Sequence, residues 1–239
     1  MIQKIITYYC PHCGSDQLVK NGHNKANSQQ AHCKDCGAYF VLEPKQSQKT
    51  VTHRTILKTA LERCSLRGLE RIFQVTRQTI AKWIEAFVRA LPAFRKTIRP
   101  ARPDDKLELD EAWSFVGCKK QKRWLWTVMC RRTRQIIAFA IGDHSLATCK
   151  RLWKRVPDAY RRCHSLSDFW QAYHLLPEST HQCVGKETGE TAHMERWYNT
   201  LRQRLARYVR KTLSFSKSDK FHHLFTKWFI FEYNQSLTS

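Results

Sequence analysis

Apolar positions follow different rhythms in different parts of this chain. Between residues 51 and 92 they recur every three to four residues, the spacing of helices with one buried face. His53–Arg63 carries Ile56, Leu57, Ala60 and Leu61 on such a stripe. Ser65 is placed to cap a second helix over the run SLRGLERIF, and Gln74-Val75 turns the chain toward Thr76, which caps a third. On that third helix Ile80, Trp83, Ile84 and Phe87 are expected to face inward. Beyond residue 105 the period shortens to two. Lys106–Asp110 predicts a strand with Asp110 at its end, Arg123–Met129 a second strand and Gln135–Ile141 a third, with the basic Arg131–Arg134 turning between the last two. The helical period returns over Leu146–Val156. A short strand follows over Arg162–Ser167 and delivers Asp168 at its end. A long helix begins near Thr191 and covers most of ETAHMERWYNTLRQRLARYVRKT, with Trp197, Leu201, Leu205 and Tyr208 as its buried stripe. The aromatic tail FHHLFTKWFIFEYN predicts either a last amphipathic helix that completes its own core or a surface for assembly.

Three strands followed by alternating helix and strand point to a mixed α/β domain over residues 105–239. Pro92, Pro100 and Pro103 bracket a stretch, 93–104, that reads as a linker. Ahead of it, two short helices joined by a tight turn, the second opening on Arg77, Gln78, Thr79 and Lys82, match a helix-turn-helix over 51–92. Its recognition helix would enter the major groove of double-stranded DNA with Arg77, Gln78 and Lys82 at base edges or phosphates, a division the residues leave open. A plain three-helix core with charged solvent faces is the alternative.

Residues 1–50 have too little apolar content to hold a core. They contain instead Cys10-Pro-His-Cys13 and Cys33-Lys-Asp-Cys36, separated by nineteen residues. Each pair can offer two thiolates to one tetrahedral ion, so a ribbon folded around one structural Zn²⁺ on Cys10, Cys13, Cys33 and Cys36 is expected, with the ion supplying the folding energy. A redox role would need only one such pair.

Charge changes the picture from fold to partner. The 239 residues include 42 Lys and Arg against 20 Asp and Glu, a formal net charge of +22. A surplus of that size implies a polyanionic partner and selects nucleic acid without saying which kind. No run of about 18 apolar residues is present, so no membrane span is expected. The start, MIQKIITYYCPHCG, lacks a signal-peptide core, and the other six cysteines have no framework spacing; both features point to the cytoplasm.

Three acidic positions draw attention in the last segment. Asp110 ends a strand, Asp168 follows another, and Glu195 stands just off the apolar stripe of a helix whose following Arg196, Arg202, Arg204 and Arg207 are unbalanced by acid. Carboxylates are hard oxygen ligands suited to a pair of Mg²⁺ ions, with Mn²⁺ as a substitute, and two such ions can serve an in-line phosphoryl displacement. Composition alone does not single these out: Glu108, Glu111, Asp143, Glu187 and Glu190 compete.

The cysteine quartet, the helix-turn-helix, the run Leu109–Gly117 and above all Met194–Arg207 with its continuation Arg210–Lys217 resemble the IS1 family of bacterial insertion sequence transposases. The likeness covers nearly the whole length. It implies a catalytic domain of ribonuclease H-like fold with a DDE triad, carried here by Asp110, Asp168 and Glu195, the last two separated by 26 residues. It also implies that Arg196, Arg202, Arg204 and Arg207 lie on the basic helix that positions the element end. Ser167 and Phe169 flank Asp168 where the family usually has a threonine or second aspartate. The implied partners are the terminal inverted repeats and target DNA, held by a homo-oligomer that pairs two ends. A zinc and helix-turn-helix regulator, an inactive relative, or a nuclease of the same fold without strand transfer are the competing readings.

Overall fold

The computed structural model describes residues 6–43, 48–209 and 211–238, the side chains of 48–52 and 186 excepted. Arg210, part of the resemblance, lies outside the described residues, as do 1–5 and 44–47 of the cysteine-rich segment. The chain forms two compact units that divide between Thr55 and Ile56. Among the described residues no helix is long and apolar enough to cross a membrane.

The first unit is a three-stranded antiparallel sheet of β1 (Leu18–His23), β2 (Gln29–Cys33) and β3 (Tyr39–Val41) in that order. Its buried apolar side chains among the described residues are Cys10, Ala31 and Cys33. Such a core cannot offset the chain entropy of folding, of order 1 kcal/mol per residue.

The second unit begins within α1 (Gln48–Ala60) and continues with α2 (Leu66–Phe73) and α3 (Arg77–Ala90). Ser65 Oγ accepts the Gly68 N–H at 3.0 Å and Thr76 Oγ1 that of Thr79 at 3.3 Å, as the sequence predicts. Ile80, Ile84 and Val88 form the fully buried stripe of α3, while Trp83 and Phe87 are half-buried. A five-stranded sheet follows, built of β4 (Lys106–Phe115), β5 (Lys122–Cys130), β6 (Ile136–Gly142), β7 (His164–Ser167) and β8 (His181–Cys183). The order is β6-β5-β4-β7-β8: the first three strands form an antiparallel meander, and β7 and β8 add parallel to the free side of β4. Helices α4 (Leu146–Arg155) and α5 (Asp158–Arg161) make the crossover to β7 and cover one face with Leu107, Leu109, Trp126 and Val128. The other face, with Ala112, Leu125 and Met129, lies under α6 (Ala192–Arg204) and α7 (Asp219–Ser236).

Three expectations change. Asp110 does not end its strand; it is the fifth of ten residues in β4, because 111–115 continue the pairing with β5. The long helix stops at Arg204, before Leu205 and Tyr208 of its expected stripe. There the chain turns so that Ser216 can bridge Val116, with the Gly117 N–H donating to the Ser216 carbonyl at 2.8 Å. The expected linker at 93–104 does not separate two cores. Phe94 packs edge-on to Phe139, the Arg99 N–H donates to Gln135 Oε1 at 2.8 Å, and Tyr160 donates to the Arg99 carbonyl. The helices of 56–91 share one core with α7, where Phe87 meets Trp228 at 5.3 Å and Lys227 Nζ donates to the Val88 carbonyl. The tail therefore completes its own core.

Candidate functional site

Among the described residues, two side-chain clusters can hold metal. In the first unit the Sγ atoms of Cys10, Cys13, Cys33 and Cys36 all lie within 4.8 Å of one another. Cys10 to Cys36 and Cys13 to Cys33 are both 3.6 Å. A tetrahedron with Zn–S bonds of about 2.3 Å has edges of about 3.8 Å, so the four sulfurs fit that ion. Two matching turns build the cluster. The Gly14 N–H donates to the Cys10 carbonyl and the Gly37 N–H to the Cys33 carbonyl, with φ of 75° and 72° at the two glycines. Those angles favour a residue without a Cβ.

The second cluster follows from strand register. β4 and β7 are parallel, with Lys106, Leu107 and Glu108 paired to His164, Ser165 and Leu166. Extending that register by two residues sets Asp110 beside Asp168, just past the end of β7. Because β7 stops at Ser167, the edge of β4 is uncovered from there on, and acids from both of its faces reach the same opening. Oxygens of Asp110, Glu111 and Asp168 lie within 4.8 Å of one another. Burial, then the negative charge of Glu111, pushes the Asp110 carboxyl up to about 7, and Asp168 and Glu195 act in the same direction. Like charges crowded in a half-buried cleft are relieved by a divalent cation.

Glu195 lines the same cleft, of about 280 Å³, together with Thr191, Tyr198, Asn199 and Arg202. It is exposed and stands outside the tight cluster. The helix that carries it, α6, is docked on the sheet by groups that pattern reasoning passed over. Tyr198 donates to the Asp110 carbonyl at 2.8 Å. The fully buried Glu108 accepts from Arg131 Nε at 2.8 Å, from His193 Nδ1 at 2.6 Å and from the Met194 N–H at 3.1 Å. Thus an acid two residues before Asp110, on the same face of β4, holds the first turn of the Glu195 helix. The period-two alternation of Glu108 and Asp110 was the available signal for it. Two further competing acids have structural work: Asp143 accepts from Ser145 and Thr148 at the start of α4, and Glu190 pairs with Arg131.

A family model described as IS1 transposase matches residues 106–234, more than half of the chain. The chain belongs to the IS1 transposase family. It is 36% identical over 115 residues to insertion element IS1 protein InsB of Shigella flexneri, across 48% of this chain and 86% of that protein. It is likewise 36% identical over 124 residues to iso-IS1n protein InsB of Shigella dysenteriae, across 52% and 92%. IS1 4 protein InsB of Escherichia coli (strain K12) is 34% identical over 115 residues, across 48% and 67%. The activity is DNA transposition, and the chain is an enzyme of the DDE type.

In this IS1 transposase the residues expected to contact DNA fall into two groups. Arg77, Gln78 and Lys82 are exposed on the first turns of α3, with Arg77 Nε also paired to Glu70 at 2.9 Å. Arg196 is exposed on α6, and Arg202 lines the acidic cleft. Arg204 is turned to other use: it pairs with Glu62 and lies over the Phe229 ring. Arg207 sits 3.7 Å over Phe225 and donates to Ser216 Oγ, and burial pushes its guanidinium down to about 10. It also lines a cavity of about 510 Å³ with Arg67, Arg71, Arg77 and Lys217, which joins the helix pair to the segment after α6.

Proposed function

We propose that Asp110, Asp168 and Glu195 are the DDE carboxylates of this transposase and together hold two Mg²⁺ ions, for which Mn²⁺ can substitute. The observation that carries the reading is the register of β4 on β7, which sets two acids 58 positions apart in sequence side by side in the cleft that Glu195 lines. The strand order and the mixed parallel and antiparallel pairing support a ribonuclease H-like fold for 105–239. The bound ions would supply an activated oxygen nucleophile and charge neutralisation at the reacting phosphorus. The chain's own residues orient the substrate. Asp110 offers oxygens from the middle of β4 and Asp168 from just past the end of β7, and Glu195 offers one from across the cleft. Arg202, at the cleft's rim, meets the DNA backbone beside them, and Arg196 extends that contact along α6.

Residues 51–92 are proposed as the helix-turn-helix that reads the terminal inverted repeats through Arg77, Gln78 and Lys82. The basic cavity shared by Arg67, Arg71, Arg77, Arg207 and Lys217 supports a DNA path from there toward α6. Residues 1–50 are proposed as a zinc ribbon that assists end binding. Pairing two element ends calls for a homo-oligomer on DNA.

Asp110→Asn and Glu195→Gln should each abolish Mg²⁺-dependent cleavage at the element's 3′ end in a gel assay, and binding to the ends should survive. Cleavage retained by both variants would overturn the assignment. Joining of a pre-cut end to target DNA by the wild-type protein separates a transposase from a nuclease that only cuts.

A further inference from the structure

The DDE assignment leaves one acid of the tight cluster without a role. Glu111 follows Asp110 on β4, and strand alternation sends it to the opposite face of the sheet. Its side chain is only 6% exposed there. Both oxygens are nevertheless held at the opening beyond β7. Oε2 accepts from the Tyr173 hydroxyl at 2.6 Å, and Oε1 is 2.9 Å from His144 Nε2. A carboxylate has about four lone-pair sites, so each oxygen keeps capacity toward Asp110 and Asp168.

The two partners are themselves fixed. Tyr173 is fully buried in the short turn Gln171–Leu175. The His144 ring is sandwiched between Trp124, at 3.8 Å and 10°, and Trp170, at 3.9 Å and 15°. The backbone N–H of Trp170 in turn donates to Asp168 Oδ1 at 3.0 Å. One residue therefore touches Asp168 directly and reaches Glu111 through a stacked imidazole. A carboxylate buried only for packing would not need its orientation set from two sides at the mouth of an acidic cleft.

We infer that Glu111 is a fourth carboxylate of the catalytic metal centre, and that Trp170 is a positioning residue whose ring aligns Glu111 through His144. The inference rests on the metal-site reading proposed above, and the experiment separates the two. Mn²⁺ binding to the full chain is measured by calorimetry or electron paramagnetic resonance, and the Mg²⁺ concentration for half-maximal end cleavage is measured in parallel. Glu111→Gln should weaken Mn²⁺ binding by at least about tenfold and raise the Mg²⁺ requirement similarly, while DNA-end binding is unchanged. Trp170→Ala should weaken Mn²⁺ binding several-fold, and Trp170→Phe, which keeps a ring to stack, should restore most of it.

If Asp110→Asn weakens Mn²⁺ binding and Glu111→Gln does not, Glu111 is no ligand and the inference falls while the site stands. If neither variant weakens it, the metal-site reading falls and takes the inference with it. Equal Mn²⁺ affinity in Trp170→Ala and wild type overturns the positioning role. Should Glu111→Gln lose its thermal transition, Glu111→Asp, which keeps the charge but draws it back, must weaken Mn²⁺ binding for the inference to survive.

Discussion

His222 is a base kept from its proton. It is fully buried on α7 between two hydroxyls, Ser114 Oγ at 3.1 Å from Nε2 and Ser216 Oγ at 2.9 Å from Nδ1. Burial, then the nearby charge of Arg207, pushes it down to about 3; Arg123 and His223 add to the effect and Asp219 opposes it. The unfolded chain takes up this proton near pH 6.5 and the folded chain only near pH 3. The contribution to stability is therefore complete above pH 6.5 and is lost as pH falls through that window, by about 2 kcal/mol at pH 5. His181, pushed down to about 4, acts in the same direction, so a comparison with a variant is needed. Urea unfolding of wild type and His222→Gln at pH 7.5 and pH 5 should show the acid-side loss smaller by about 2 kcal/mol in the variant. Equal losses would assign the effect elsewhere. At this scale the sequence was partly legible. The cysteine spacing could be read directly, because residue type and local pattern carry that information, whereas the three proposed triad acids stood out from their competitors only through the family resemblance. Glu108 and Glu111 could not be ranked above other acids, because their partners are distant in sequence: His193 lies 85 positions from Glu108 and Tyr173 lies 62 from Glu111.

Among the elements, the three-stranded unit depends on its sulfurs most. With Cys10, Ala31 and Cys33 as its buried apolar side chains among the described residues, metal binding and folding are one equilibrium there under the zinc-ribbon reading proposed above. A strong zinc chelator, or Cys33→Ala, should remove hydrogen-exchange protection from β1–β3 and leave the five-stranded sheet protected. Protection that persisted in β1–β3 without metal would show that the sheet holds itself. Element boundaries were legible where a side chain makes them, as at Ser65 and Thr76. They were misjudged where tertiary contacts decide. β4 runs past Asp110 because β5 lies beside it, and α6 ends at Arg204, whose carbonyl takes the Arg63 N–H at 2.7 Å. No local pattern records either neighbour.

For the second unit as a whole, the consequential feature is a core common to the helices of 56–91 and the α/β sheet. An apolar stripe on α3 says that a face is buried and not against what, so the sequence read this segment as a separate domain. Trp228, on α7, meets Phe87 of α3 within the core that also holds Leu125 and Met129 of the sheet. Trp228→Ala should cost about 3–5 kcal/mol and lower the melting of helix and sheet signals together in a single transition. Two separated transitions would mean that the helices fold on their own. The shared core also bears on how such a protein diversifies. Under the reading proposed here, α1–α3 choose the DNA end and the sheet cuts it, yet neither can be lifted away without exposing the other's interior. Wholesale exchange of one recognition segment for another between elements is then closed to this lineage. New end sequences must be acquired by replacing single surface side chains on α3, at positions such as Gln78 and Lys82, and each element and its enzyme must drift together.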